Sequence, residues 1–165
     1  MVLRNHRMPG VVVWHPFLYN IMTNWNNRFL DLAKHISTWS KDKSTGVGAV
    51  IVDNENRIVS QGYNGFCTGC NDNIDARHER PAKYLYTEHA ERNAIYNAAR
   101  IGVSVRNCKL YSTLFPCVEC TRAIIQSGIK EIHTYHPDFQ HHKYGKDWEI
   151  SLELLHEVGI RVELH

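Results

Sequence analysis

Two short stretches of this 165-residue chain carry residues that could assemble a metal centre. The first contains His89 and Glu91, and the second contains Cys117 and Cys120, directly after Pro116. One imidazole and two thiolates are ligands that zinc prefers, and three protein ligands leave its fourth position for water, as in a catalytic site. Zinc lowers the pKa of such a water to roughly 7. The four residues therefore predict a hydrolytic zinc site in which Glu91 carries protons.

Helix starts are predicted at both stretches. The two cysteines are three residues apart, so their side chains share one helix face. A helix N-terminus stabilises thiolates over thiols, and Pro116 suits the helix entry because its missing N–H would be unpaired there in any case. Residues two apart, such as His89 and Glu91, do not face each other on a regular helix. We therefore expect the cleft to wrap around the first turn of that helix.

A closed structural zinc site is the alternative interpretation of the same residues. Such a site takes four ligands, and the pair Cys67 and Cys70 could supply the fourth. A structural site has no use for Glu91, however, and the pattern H-x-E followed by P-C-x-x-C is far more specific than a lone C-x-x-C pair. The sequence favours the catalytic interpretation.

The hydrophobic pattern predicts the elements that would hold this site. Apolar residues at helical spacing predict a helix over 24–39, and an apolar β-branched run followed by a second strand predicts a hairpin over 47–63. A long, irregular, polar stretch over 64–87 follows, which we interpret as a substrate loop. Helices are then predicted over 89–100, 117–127 and 147–158, and strands over 108–113, 131–135 and 160–164. This alternation predicts an α/β fold with a mixed, partly parallel sheet and helices on both faces.

Length and composition limit the classes of protein. We expect one compact domain over 22–165, with 1–21 as a loosely held N-terminal extension or, alternatively, an additional packed strand or helix. The formal net charge of +2 argues against a protein that binds nucleic-acid backbone, and no apolar run reaches membrane-spanning length. The odd count of five cysteines indicates metal ligands and buried thiols, not a disulfide framework, which predicts a cytoplasmic protein.

The motifs resemble those of the cytidine and deoxycytidylate deaminase superfamily, and within it the deoxycytidylate (dCMP) deaminases most closely. The similarity extends from about residue 24 to the C-terminus and includes Gly-Tyr-Asn-Gly-Phe at 62–66. It implies a three-layer α/β/α cytidine-deaminase-like fold with a central mixed five-stranded sheet. It also implies hydrolysis of dCMP to dUMP and ammonia, which supplies the thymidylate precursor, with zinc held by His89, Cys117 and Cys120 and protons shuttled by Glu91.

Substrate contacts and partners also follow from the resemblance. Asn64 would touch the sugar hydroxyl, although a turn residue is an equally good interpretation, and backbone carbonyls around Leu114 would receive the amino group. A phosphate needs cationic partners, for which Arg80 and Lys83 are candidates unless they are simply solvated charges. The family further implies a homo-oligomer, often a hexamer, with dCTP as activator, dTTP as inhibitor and Mg²⁺ alongside the nucleotide effector.

One departure from the family pattern lies in the stretch before the zinc motif. Cys67 stands where the family commonly has proline after Gly-Tyr-Asn-Gly-x, which predicts a looser turn. Cys67, Cys70 and His78 could form a second, structural zinc site, since some relatives carry one nearby. A fourth ligand is not obvious, so free buried thiols are the simpler expectation.

Other functions are compatible with the zinc motif. A deaminase of tRNA adenosine should have a more basic surface. A deaminase of free nucleosides would not need the cationic residues of the 64–87 loop, such as Arg80 and Lys83. An editor of single-stranded DNA would need an aromatic groove with a cationic track, whereas the four tryptophans are dispersed. A non-catalytic, zinc-stabilised binding module would not need Glu91. The sequence therefore favours a small nucleotide substrate, with neither nucleic acid nor membrane as a partner.

Overall fold

The computed structural model describes residues 24–165, where a five-stranded sheet lies between two layers of helices. The predicted extension over 1–21 lies outside these residues. The elements in chain order are α1 (Trp25–Ser37), β1 (Gly48–Val52), β2 (Ile58–Tyr63), β3 (Gly65–Phe66), α2 (Lys83–Tyr86), β4 (Thr87–Glu88), α3 (Ala90–Arg100), β5 (Lys109–Ser112), α4 (Val118–Ser127), β6 (Glu131–Thr134), α5 (Gly145–Glu157) and β7 (Arg161–Leu164), with a 3₁₀ turn over Asp75–Arg77.

The sheet has the strand order β2-β1-β5-β6-β7. Strand β1 pairs antiparallel with both β2 and β5, whereas β5, β6 and β7 run parallel to one another. The parallel strands require crossover connections, and helices α4 and α5 provide them. The predicted mixed, partly parallel sheet of five strands is therefore confirmed.

Alternate residues of the central strands face opposite helix layers, as the two-residue period of a strand requires. One layer contains α1, whose buried face packs on one side of β1 and β5. The other contains α3, α4 and α5, which pack on the opposite side. The first core comprises Phe29, Leu30, Ala33, Ile36, Val50, Val52 and Tyr111. The second includes Ala49, Ile51, Ala90, Ala94, Leu110, Ile124, Ile132 and Leu155. The three-layer α/β/α architecture is confirmed.

Two glycines let helix backbones rest directly on the sheet. A Cβ atom on Gly48 would lie 2.0 Å from the carbonyl oxygen of Ala33 in α1. A Cβ atom on Gly62 would lie 2.4 Å from the amide nitrogen of Ala94 and 2.5 Å from the carbonyl oxygen of Ala90, both in α3. Real Cβ atoms do not come this close to backbone. Because Ala90 is the first residue of α3, the contact with Gly62 sets the position of that helix start relative to the sheet.

The stretch over 64–87 is only partly irregular. Its ends pair with each other, since Gly65 lies opposite Glu88 and Phe66 opposite Thr87 in a two-stranded antiparallel ladder. Strands of two residues have no hydrophobic period, so the sequence pattern could not indicate them. Within residues 24–165, no helix has both the length and the apolar character needed to cross a membrane.

Replacing Gly62 with alanine should therefore destabilise the protein. The added methyl group must push α3 away from β2, and overpacking of this kind costs about 1–3 kcal/mol of unfolding free energy. Urea unfolding of G62A followed by circular dichroism measures the change. G65A is the matched control, because a Cβ atom there would lie 3.4 Å from the Tyr63 side chain, and we expect a change within about 0.5 kcal/mol. Equal stabilities for the two variants would contradict the close packing of α3.

Candidate active site

Three candidate zinc ligands converge although they come from distant parts of the chain. His89 Nδ1 lies 3.5 Å from Cys117 Sγ and 3.4 Å from Cys120 Sγ. The three donor atoms all lie within 4.8 Å of one another, and among the residues that the structure describes no other group of three His, Cys, Asp or Glu side chains does so. One imidazole and two sulfur atoms at these separations fit a tetrahedral zinc ion with one position left for water.

The first turns of α3 and α4 account for this arrangement. His89 and Cys117 are the N-cap residues of the two helices, with extended backbone (φ −79°, ψ 153° and φ −71°, ψ 168°). Both helices therefore begin one residue later than the sequence predicted. Because His89 precedes the helix and has extended backbone, the direction of its side chain does not follow the helical repeat. Glu91, in the first turn, can therefore reach the same ligand cluster. The Glu91 Oε2 atom lies 3.5 Å from Cys120 Sγ.

The electrostatics of the cluster favour a bound cation. The hydrogen bond from Cys120 lowers the pKa of Cys117 to about 4, and the same bond raises the pKa of Cys120. One thiolate is thus available at neutral pH, at a helix N-terminus that stabilises negative charge. The hydrogen bond with Cys117 also raises the pKa of His89. Burial raises the pKa of Glu91, which is only 3% exposed, so its carboxyl group can hold a proton closer to neutral pH.

Arg92 ties the two ligand-bearing turns together. Its guanidinium contacts the Glu88 carboxylate beside His89, and its Nη1 atom lies 2.6 Å from Oε2 of Glu119, which stands between the two cysteines. Glu88 also accepts a hydrogen bond of 2.9 Å from the His89 amide. The sequence analysis missed this group, although the i,i+4 spacing of Glu88 and Arg92 is a recognisable pairing signal. The contact between Arg92 and Glu119 has no such signal because it crosses between helices.

A cavity of about 450 Å³ adjoins the cluster, and His89, Glu91 and Cys117 contribute to its lining. The other walls come from 42–47, from Asn64, and from residues within 80–87, 114–115 and 143–148. A volume of this size suits a small organic ligand. The loops that follow β5 and β6 form part of it, as expected where the carboxyl ends of parallel strands meet. The cavity therefore places most of the predicted site residues around one space.

The residues predicted to contact the substrate all line this cavity, but they differ in exposure and in the hydrogen bonds that they already form. Asn64 is buried, and its amide oxygen accepts from the Val47 N–H at 2.7 Å while its amide nitrogen donates to the Thr45 carbonyl at 2.9 Å. Arg80 is exposed at the cavity, and Leu114 lies on its wall. Lys83 is buried and bonded to neighbouring side chains. Their contacts with a substrate remain predictions.

Lys143 is a cavity residue that sequence reasoning did not single out. Its Nζ atom donates to the Tyr84 hydroxyl at 2.9 Å and lies 4.9 Å from the ring centres of Tyr84 and Tyr144. His141 shapes this turn, because its Nδ1 atom accepts the N–H groups of Lys143 and Tyr144 at 3.2 Å each. A lysine in a loop carries no pattern that would mark it as part of a site.

The optional second zinc site is not formed by the described residues. Cys67 and Cys70 are exposed, and His78 Nε2 lies 2.7 Å from the Asp72 carbonyl oxygen, so the three side chains do not assemble into a ligand group. The expectation of buried free thiols was also wrong for both cysteines, and only Cys108 fits it. The loop around these cysteines is too polar to bury them.

Comparison with known proteins places the chain among deaminases. Residues 23–136 match the family described as the cytidine and deoxycytidylate deaminase zinc-binding region. An uncharacterized deaminase of Aliivibrio fischeri from the luxG 3′ region is 40% identical over 144 residues, which cover 86% of this chain and 94% of that protein. Deoxycytidylate deaminase of Mus musculus is 44% identical over 113 residues, which cover 66% of this chain and 62% of that protein.

A solved structure supports the fold independently of close sequence similarity. The dCMP deaminase of the cyanophage S-TIM5, in complex with dCMP and dUMP, superposes with a TM-score of 0.67 at 23% identity. The match covers 93% of this chain and 100% of that one. The cytidine-deaminase-like fold expected from the motifs is therefore confirmed.

Removing one ligand should empty the metal site. We expect zinc-loaded wild-type protein to retain about one zinc per chain after dialysis, and C117A or H89A to lose it, because two ligands hold zinc far more weakly than three. Plasma mass spectrometry of the dialysed proteins measures the content. The matched control is the double variant C67S/C70S, which removes two exposed thiols outside the cluster and should keep its zinc. If the wild type instead held two zinc ions per chain and the control only one, the second zinc site at Cys67 and Cys70 would exist.

Proposed function

This chain belongs to the cytidine and deoxycytidylate deaminase family, and we propose that it hydrolyses dCMP to dUMP and ammonia. The observation that carries the proposal is the cavity that joins the ligand cluster and Glu91 to the cationic side chains of Arg80 and Lys143. A deaminase site beside two cations suits a cytosine ring attached to a phosphorylated sugar. The 44% identity to the deoxycytidylate deaminase of Mus musculus supports the same substrate.

The proposed reaction uses the residues at the closed end of the cavity. Zinc held by His89, Cys117 and Cys120 supplies the Lewis acidity that makes a water molecule nucleophilic near neutral pH. Glu91 takes a proton from the attacking water and delivers it to N3 of the cytosine ring. It then carries the second proton to the departing amino group, which leaves as ammonia. The raised pKa of Glu91 suits a group that must both accept and donate within one turnover.

The remaining contacts orient the nucleotide. We assign the sugar hydroxyl to Asn64 and the amino group to the backbone carbonyl of Leu114, both of which line the cavity. Arg80 and Lys143 are placed to hold the phosphate through charge-assisted hydrogen bonds. Neither has an ion-pair partner among the residues that the structure describes.

Assembly, regulation and location belong to the same proposal and rest on the resemblance to the family. We expect a homo-oligomer, a hexamer in the family, that responds to dCTP and dTTP and has no nucleic-acid or membrane partner. Magnesium would only accompany an effector's phosphates, since within 24–165 no second group of ligands supports a site for it. A cytoplasmic location fits a protein whose zinc ligands include two reduced thiols.

Turnover on a panel of substrates tests the proposal directly. Zinc-loaded protein should deaminate dCMP faster than dCTP, deoxycytidine or cytidine, as followed by ultraviolet absorbance with and without dCTP as activator. E91Q should lose about 10²- to 10⁴-fold in kcat, because a neutral amide cannot transfer protons, while it keeps its zinc. Preference for deoxycytidine would overturn the choice of substrate, and an active E91Q would overturn the role of the carboxylate.

Removing the phosphate partners should affect nucleotides only. R80A and K143A should each raise KM for dCMP about 10- to 100-fold, the cost of one hydrogen bond to a charged group, and leave KM for deoxycytidine unchanged. Steady-state kinetics on the two substrates measures this. K146A is the matched control, since Lys146 is exposed, lies in the same segment and does not line the cavity. Equal effects on the two substrates would place the phosphate elsewhere.

A further inference from the structure

Lys83 lies in the wall of the cavity, but its ammonium group is already paired with a carboxylate. Its Nζ atom lies 3.0 Å from Oδ1 and 2.7 Å from Oδ2 of Asp42, and 2.7 Å from Oγ of Ser44. The side chain is only 11% exposed. The ammonium group is thus held between a carboxylate and a hydroxyl group, and the nearby carboxylate offsets its charge. Lys83 and Asp42 therefore form a shielded, electrically neutral unit.

Asp42 organises the segment 42–47, which forms one side of the cavity. Its Oδ1 atom accepts the N–H groups of Ser44 at 2.8 Å and of Thr45 at 3.3 Å, and the Ser44 hydroxyl at 2.6 Å. Partial burial alone would raise the pKa of Asp42, but the hydrogen bonds from Lys83 and Ser44 outweigh it and hold that pKa well below its usual range. The carboxylate is thus ionised throughout the neutral range.

Asn64 holds the other end of the same segment. Its side chain bonds to the carbonyl of Thr45 and the amide of Val47, and its own carbonyl accepts the Ser40 hydroxyl at 2.7 Å. The segment is therefore fixed between Lys83 on one side and Asn64 on the other. Asp42, Thr45 and Val47 face the same space as Glu91. A shift of this wall would move the surface against which the nucleoside must fit.

We propose that Lys83 is a positioning residue, which acts on the nucleoside part of the substrate through Asp42 and the 42–47 wall and does not bind the phosphate. This inference rests on the proposed deamination of a cytosine nucleotide. It differs from the phosphate contact predicted from the sequence, because the ammonium group of Lys83 is paired with Asp42. The phosphate is left to Arg80 and Lys143, the cavity cations without a carboxylate partner among the described residues.

The test compares dCMP with deoxycytidine in the variants K83M and D42N of the zinc-loaded protein. A positioning role predicts that both variants lose about tenfold or more in kcat/KM on each substrate, since small misplacements in a site are costly. The ratio of the two kcat/KM values should stay at its wild-type level. Most of the loss should lie in KM, because Glu91 and the zinc ligands are unchanged, and the zinc content should equal that of the wild type.

A phosphate ligand would behave in the opposite way in the two variants. K83M would then lower kcat/KM for dCMP alone, whereas D42N would release the ammonium group and raise kcat/KM for dCMP. Either change in the ratio overturns the inference. Normal kcat/KM on both substrates in both variants overturns it as well, since the wall would then not need the pair.

Two further variants control for misfolding and for the general loss of a lysine. Removing one partner of a buried pair leaves the other charge unpaired and can prevent folding, so the double variant D42N/K83M removes both charges and is measured in the same way. K41M is the matched control, because Lys41 forms an exposed ion pair of 2.8 Å with Asp72 outside the cavity and should change nothing. If wild-type protein acts on deoxycytidine but not on dCMP, the proposed function fails, while deoxycytidine turnover of the variants still tests the wall.

Discussion

The active site depends on two helix N-termini that meet beside the sheet. Helices α3 and α4 each begin directly after a candidate zinc ligand, His89 and Cys117. Each helix contributes a second functional group from its first turn, Glu91 in one case and Cys120 in the other. Backbone N–H groups at these ends favour negative charge, which suits thiolates and a carboxylate. The chemistry of the site is therefore a property of where the two helices start.

That meeting point is fixed by packing and by charge together. On the sheet side, Gly62 lets the backbone of α3 lie directly against β2, and any larger residue at this position would push the helix away. On the outer side, Arg92 joins Glu88 to Glu119 and so links the two first turns. Because these two contacts position the first turns of α3 and α4, a shift in either would change the distances among the three donor atoms, which lie within 4.8 Å of one another.

The three cationic side chains that line the cavity differ in whether a carboxylate lies beside them. Lys83 is neutralised by Asp42, and the pair shapes a wall. Arg80 and Lys143 line the same cavity without a carboxylate beside them. Desolvating an ammonium group is unfavourable unless it is paired, so the buried lysine has the carboxylate and the more exposed cations are left for an anionic ligand. Of the three positive side chains, Lys83 is therefore paired within the cavity wall, whereas Arg80 and Lys143 are the two proposed to bind the phosphate.

The sequence by itself indicated the family, the order of the main helices and of the strands of the five-stranded sheet, and the four residues of the metal motif. These features are local: hydrophobic periods report helices and strands, and H-x-E with P-C-x-x-C brings its own ligand types and spacing. Tertiary structure alone decided what depends on residues far apart in the chain. It paired β3 with β4, left Cys67, Cys70 and His78 without a common ligand group, placed Asp42 beside Lys83 and brought Lys143 into the cavity. Such contacts have no sequence period, because they follow from how loops at one edge of the sheet are folded over one another.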